Sequence, residues 1–473
     1  MMRYDMEWIK TELGGLYGSE VVGELSRLIR LYDIYDGPGQ EWETENEENA
    51  KYKPTKLITN FVKKLIKAES RFMVGRAPEL RIDAEAEQKS DAEALEQFIA
   101  RTLAENKWQR SLICGVRDCF IGKRVALCLS GAPGKRIRVQ FVPSTEFAYE
   151  IGDDGEVSKI IFFYGMNELT DKARQRIFRK KLWMEGGRCL IDEGVYDGYG
   201  RRIKSVHDKE DTGLDFVPVY VIVNDGLTGD TAGESDVREL SENQRAYNQL
   251  KSDDIDALKF NMFPQKVFTD ASQASMDHVI IAPGAMIDLQ TDPARAGQGH
   301  ADAKVLEPTF SYDQRYEHAI DRIESDMYAL ISVPNVGTEE LKGFAASGKA
   351  MRALYWDLIC RCEEKWAEWD DALKWMVRRL IDMARIYGAA QLPEIEYSVR
   401  VVHLYPIPDE EEDERMRDLD EVSRGARSRL TYIAKWQPGV DAQGELNQIQ
   451  AERRSEDAYG MSVASELEGG TGV

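Results

Sequence analysis

Among side chains able to do chemistry, the most suggestive arrangement is Gly343-Phe-Ala-Ala-Ser-Gly348-Lys349-Ala350. It falls one residue short of the phosphate-loop pattern G-x-x-x-x-G-K-S/T. In such a loop the glycine amides cradle phosphates, the lysine neutralises them, and the last hydroxyl ligates magnesium. Here Ala350 stands where the hydroxyl belongs, and the residues leading in, Glu339, Glu340, Leu341 and Lys342, make no buried strand. No apolar strand ending in aspartate supplies a second metal contact. A nucleotide-dependent enzyme with a degenerate loop at Gly343–Lys349 is therefore the alternative; the preferred reading is a glycine-hinged loop entering a helix. Cys360 and Cys362 stand two apart on that helix, so they point to different faces and read as packing. None of the five histidines lies three or four residues from another, which argues against zinc. His278, His300 and His318 have no nucleophile or carboxylate partner in the pattern, and no G-x-S-x-G is present. No catalytic, cofactor-binding or metal residue is assigned, no cofactor is expected, and the chain reads as a non-enzyme.

The elements around that loop are better defined than its chemistry. From Met351, apolar residues recur every three or four positions through Leu358, Cys362, Trp366, Trp369, Leu373, Met376, Val377, Leu380 and Ile381. That spacing predicts one amphipathic helix over 349–388. Ser347 would cap it and Gly388 would end it, giving a rod of about 60 Å. The preceding loop, 332–348, is too polar for a core strand.

The 473 residues leave room for two to four domains, and 42% apolar with 31% charged residues describes a folded protein. The formal charge is −22. A protein that grips DNA phosphates with its whole surface would be basic, so simple nucleic-acid binding is disfavoured, though passage of DNA past an acidic wall is compatible. Six scattered cysteines without a CxxC pair imply reduced thiols and a cytoplasmic protein. No signal peptide or membrane span is expected, since no apolar run approaches ~20 residues.

In chain order, 5–33 predicts one or two helices, and DIYDGPGQEWETENEEN a solvated loop. Lys56 to Phe72 predicts a helix closed by the short strand ELRID, and Ser90 to Asn106 another helix. Residues 107–223 switch to β-rich runs between turns: RVALCLSG, IRVQFVP, EVSKIIFFYG, KLWMEG, RCLIDEG and FVPVYVIVN. The Arg-rich stretch Lys172–Lys181 reads as a basic helix or surface ribbon. Helices are expected at Ser235–Phe260 and Tyr312–Ile331, with a β-rich insert over 264–308 between them. After Pro393 come the strand IEYSVRVVHLYP and helices near 409–424, 428–436 and 441–458. The fold class is α+β with a mostly antiparallel sheet.

The order of these elements, and several local strings, resembles the portal proteins of tailed double-stranded DNA phages, in the siphophage-type subgroup with small portals. The strings are DIYDG (33–37), NFVKKLIKAESRFMVGRAPEL (60–80), FIGKRVALCL (120–129), GESDVRELSENQRAYNQLKSDD (233–254), ISVPNV and GFAASGKAMRAL within 331–354, then LYPIPDEEEDER and SRLTYIAKWQPGVDAQGELNQIQAER. The resemblance implies a phage portal fold with an α/β wing, a two-helix stem, a β-rich clip, a long wing helix and a short helical crown. Its segments would be 1–234 (wing), 235–260 (stem), 261–310 (clip), 311–331 (stem), 332–348 (tunnel loop), 349–408 (long helix and wing strand) and 409–473 (crown and tail). It implies a homo-oligomeric ring of about 12 or 13 subunits at one capsid vertex, assembled in the host bacterial cytoplasm. Double-stranded DNA would pass through the ring during packaging and ejection. Terminase large subunit, then a head–tail adaptor, would dock on it, beside major capsid and scaffolding proteins, with no membrane.

The charge agrees with that picture. Each phosphate-neutralising lysine in a DNA channel would act as a brake. Twelve copies would carry about −260 and repel the duplex from the wall. A few inward lysines could then centre it: Lys342 and Lys349 on the loop, Lys251 and Lys259 on the stem helix. Glu339, Glu340, Gly343 and Phe344 complete the tunnel-loop candidates, with Gly337, Gly343 and Gly348 as hinges.

Overall fold

The computed structural model describes residues 14–42, 54–166, 173–174, 176–197, 199–227, 229–262, 265–269, 302–306, 313–336, 348–407, 410–437 and 441–451. The chain forms two units, one of residues 1–335 and 357–405, the other of 336–356 and 406–473.

The first unit is mixed α and β. It opens with α1 (Gly14–Asp36), a 3-10 turn at Pro38–Gln40, and α2 (Phe61–Val74). The expected solvated loop after α1 is tucked in instead: Gln40 and Trp42 are buried, and Gln40 Nε2 donates to the Ile34 carbonyl at 2.8 Å. Its acidic run from 43 onward lies outside the described residues. Helix α2 starts five residues later than the apolar spacing suggested. Asn60 is its cap, with a side-chain oxygen accepting from Lys63 N at 2.8 Å, and 54–60 is extended.

After β1 (Glu79–Asp83) come α3 (Lys89–Glu105) and α4 (Trp108–Gly122). The expected switch to strands at 107 is therefore seventeen residues early, since the next strand begins at Arg124. Trp108, Leu112, Val116, Cys119 and Phe120 are buried at helical spacing, a period hidden in a run rich in β-formers. Gly115 permits α4 to seat on the next sheet, since a Cβ there would stand 2.5 Å from Phe141 Cγ.

That sheet has three strands: β2 (Arg124–Ser130) lies between β3 (Arg138–Pro143) and a later strand, β9 (Val219–Val223), both antiparallel to it. Central placement buries six of the seven residues of β2, which explains its unbroken RVALCLS run. A second, five-stranded meander follows: β4 (Phe147–Ile151), β5 (Val157–Gly165), β6 (Ile177–Glu185), β7 (Arg188–Tyr196) and β8 (Arg202–Asp211). The Arg-rich stretch is neither helix nor ribbon where described, because 177–181 belongs to β6. Its cations fit a strand by covering rings: the Arg179 guanidinium lies 4.3 Å from the Tyr196 ring and Lys181 Nζ 4.5 Å from the Trp183 ring.

Next come α5 (Asp236–Met262), the ribbon β10 (Gln265–Thr269) and β11 (Asp302–Leu306), and α6 (Asp313–Leu330), which packs on α5. The expected strand HVIIAPGAMIDL lies outside the described residues. The long helix is two pieces, α7 (Gly348–Leu354) and α8 (Trp356–Ile386), with a lapse at Tyr355. Tyr355 N still reaches the Met351 carbonyl at 3.0 Å, and no proline or glycine marks the lapse, so spacing alone runs through it. Helix α8 is thus about 46 Å long, not 60. It is the core rod of the first unit: Trp366 and Trp369 are each 1% exposed, with Leu373, Met376, Val377, Leu380 and Ile381 beneath them. Gly388 ends it at φ +63°, and Ala389 N donates back to the Ala384 carbonyl at 2.9 Å. Strand β12 (Ser398–Val402) then returns to pair with β1, Leu80 opposite Val401.

The second unit holds α7, α9 (Glu410–Ser423), α10 (Arg429–Trp436) and a helix over 442–451. Asp418 fastens α9 to α10. Its carboxylate is 4% exposed and accepts from Lys435 Nζ at 2.9 Å and Trp436 Nε1 at 2.8 Å, with Arg427 Nη1 at 2.6 Å.

Candidate functional site

The segment that carries the clearest functional geometry is the antiparallel pair α5 and α6 with the β10–β11 ribbon beyond it. Helix α5 shows only a sparse apolar stripe because its buried row is polar. Gln244, Asn248, Ser252 and Asp256 fall every four residues on one side, and all are buried. Each takes a backbone amide of the extended segment 54–60 or the first turn of α2. Gln244 Oε1 accepts from Phe61 N (2.7 Å) and Val62 N (3.1 Å), and Asn248 Oδ1 from Thr59 N (3.0 Å). Ser252 Oγ accepts from Leu57 N (2.9 Å), and Asp256 Oδ2 from Thr55 N (2.9 Å). Alternate amides of a strand advance about 6.6 Å and four helical residues about 6.0 Å, so the two ladders stay in register. This is why 54–60 forgoes the helix: side chains of α5 satisfy its donors directly. Asn248 Nδ2 also donates to Gln40 Oε1 at 3.0 Å, drawing in the turn after α1.

At the root of α5 lies a buried ionic cluster. Lys365 Nζ on α8 lies 2.9 Å from Asp236 Oδ2 and 2.9 Å from Asn224 Oδ1, and 4.0 Å from the Phe120 ring centroid. One turn earlier, Arg361 Nε donates to Glu69 Oε1 of α2 at 2.9 Å and Arg361 Nη2 to Asp236 Oδ1 at 3.0 Å. Burial opposes the Lys365 charge, but Asp236 and Glu69 outweigh it and hold the ammonium above its ordinary pKa. Burial pushes Glu69 up to about 7 against the pull of Lys365 and Arg361, and its Oε2 has no hydrogen-bond partner among the described residues. Three helices, α2, α5 and α8, are thereby fixed to the 224–225 turn. Asp236 also sits in the first turn of α5, where the helix dipole favours an anion.

The sequence-expected channel lysines fall as follows. Lys251 lies on α5 with its Nζ 4.9 Å from the Tyr247 ring centroid, and Lys259 near its end with its Nζ on Asp256 Oδ1 at 3.2 Å and on Thr55 Oγ1. Lys349 stands in the first turn of α7, its side chain outside the described residues. Glu339, Glu340, Lys342, Gly343 and Phe344 also lie outside, as do Gly337 and the phosphate-loop alternative up to Ser347. Cys362 is buried and Cys360 exposed, in keeping with different faces of α8. Among the described residues, no cluster of histidine, cysteine, aspartate and glutamate is placed to hold a metal, and no helix is long and apolar enough to cross a membrane.

Sequence reasoning missed both the polar ladder and the ionic cluster. The signal for the first was present, as Gln, Asn, Ser and Asp at strict four-residue spacing. Apolar periodicity does not see it. Nothing in the sequence pairs Lys365 with Asp236, 129 residues away.

A family model described as "Phage portal protein, SPP1 Gp6-like" matches residues 22–459, nearly the whole chain. No curated protein matches it.

Proposed function

Because the chain belongs to the phage portal protein family, we propose that copies of it close a ring at one capsid vertex, around a channel that passes double-stranded DNA inward during packaging and outward during ejection. The observation that carries this reading is the α5–α6 pair: two long polar helices ending in a β ribbon and rooted by the Lys365–Asp236 cluster. In this reading α5 and α6 are the stem, β10 and β11 belong to the clip, and the 332–348 loop faces the channel. The surrounding parts are the wing below 235 and again over 349–408, and the crown from 409.

The ring holds about twelve or thirteen subunits, of the siphophage type, and acts without catalysis or a cofactor. Its clip takes the terminase large subunit first and the head–tail adaptor afterwards. Capsid and scaffolding proteins surround it in the virion. The charge of −22 per copy keeps the duplex off the wall. Lys251, Lys259, Lys342 and Lys349 are the cations proposed to centre it, with Glu339, Glu340, Gly343 and Phe344 on the moving loop. An in-frame deletion of 338–346 tests the loop. DNA packaging or retention should fall while rings still form; packaging and retention at the unaltered level would refute its role.

A further inference from the structure

The first unit carries a groove of about 590 Å³ that the proposed channel does not use. Leu80 of β1, Ile99 and Leu103 of α3, and Trp108 at the start of α4 make its apolar floor, and Lys107 and Arg110 stand at its lip. Two features distinguish it from a bare apolar face. Among the described residues, strand β1 pairs only with β12, in a two-stranded sheet. Ile82 N donates instead to Glu96 Oε1 at 2.7 Å, so Ile82, and Leu80 two residues away, turn their backbone groups from β12 toward the opposite edge, which no other described strand pairs. Glu96 covers that edge at Ile82, and the groove adjoins it at Leu80. Lys107 and Arg110 are both exposed, with no ion-pair partner among the described residues.

A strand edge beside an apolar cleft with cations at its lip suits an extended, acidic peptide, held by main-chain hydrogen bonds and alternate side chains. We propose that the groove receives an acidic extended stretch of a second copy of this chain. The inference rests on the reading of the chain as a ring subunit. Copies that each carry −22 meet against their own repulsion, so a contact between them needs cations not already paired within one copy. Lys107 and Arg110 supply two. The contact is heterologous, groove on one copy and acidic stretch on the other, as a closed ring requires.

A photo-crosslinking residue in place of Ala104, which also lines the groove, tests this in the full chain, using mixed isotope-labelled and unlabelled copies. Irradiation should join labelled to unlabelled chain at a peptide containing aspartate or glutamate. The charge reversals Lys107→Glu and Arg110→Glu together should reduce the yield about tenfold. Adducts confined to one chain, captured from another protein, or absent would overturn the proposal. Native mass spectrometry of the same sample separates the two failures. Rings without inter-chain adducts sink the groove alone, whereas a chain that never assembles sinks the ring reading with it.

Discussion

Lys365 Nζ lies 2.9 Å from Asp236 Oδ2, and each of the two side chains is only 1% exposed. One sits in the first third of the core rod α8, the other at the first residue of α5, so this pair fixes the start of α5 against α8.

A buried ion pair is expensive to break from one side, because the remaining charge cannot recover its hydration. Lys365→Met should therefore destabilise the protein by about 3–5 kcal/mol, read as a lower denaturation midpoint. Lys365→Met with Asp236→Asn should recover a large part of that loss. Equal destabilisation in the single and double variants would show that the pairing is not what the site requires.

The ladder on α5 makes a residue-resolved prediction. Asn248→Ala removes the acceptor for Thr59 N and the donor to Gln40, leaving buried groups unpaired at a cost of about 1–3 kcal/mol. Amide exchange should accelerate at Thr59 by tenfold or more while the central strand β2 stays protected. Unchanged exchange at Thr59 would mean the segment is held by something other than the ladder.

Asp118 gives a pH dependence of definite sign. Burial pushes its pKa up to about 6, outweighing the hydrogen bond that Tyr32 Oη donates at 3.1 Å. Between the ordinary carboxylate range and about 6, the folded state then binds a proton that the unfolded chain has released. Stability from this group therefore falls as pH rises through that window and is flat above it. Asp118→Asn should have its largest stabilising effect at pH 7.5, up to about 3 kcal/mol, and almost none at pH 4. Thermal midpoints at the two pH values decide it.

Gly233 tests the backbone at the root of α5. Its φ is +69°, and a Cβ there would lie 2.6 Å from the Lys123 carbonyl oxygen and 2.7 Å from that of Asn224. Gly233→Ala combines a disfavoured conformation with backbone clashes, and should cost about 2 kcal/mol or more by denaturant titration.

What could be read from the chain alone followed the kind of force involved. Helices α5 and α6, the hairpin α9–α10 and most of the strands were legible because apolar spacing and turn residues mark them locally. Helix α4 was hidden because its period of Trp108, Leu112, Val116 and Phe120 is written in residues that also favour strands. Strand β8 had no apolar alternation to find, being mostly exposed polar surface. The late start of α2 was illegible for a different reason: the amides of 55–61 are claimed by side chains nearly two hundred residues away. Of the candidate site, helices α5 and α6 were legible. The cluster that roots them was not, since long-range ion pairs leave no periodic trace.

The proposed function stands or falls on closure of the chain into a ring around a DNA-sized channel. Native mass spectrometry of the purified full-length protein, with images of the same particles, tests it most directly. One discrete species of about twelve or thirteen copies with a central hole is expected. A chain that stays monomeric or dimeric at every concentration, or assembles into particles without a hole, would contradict it.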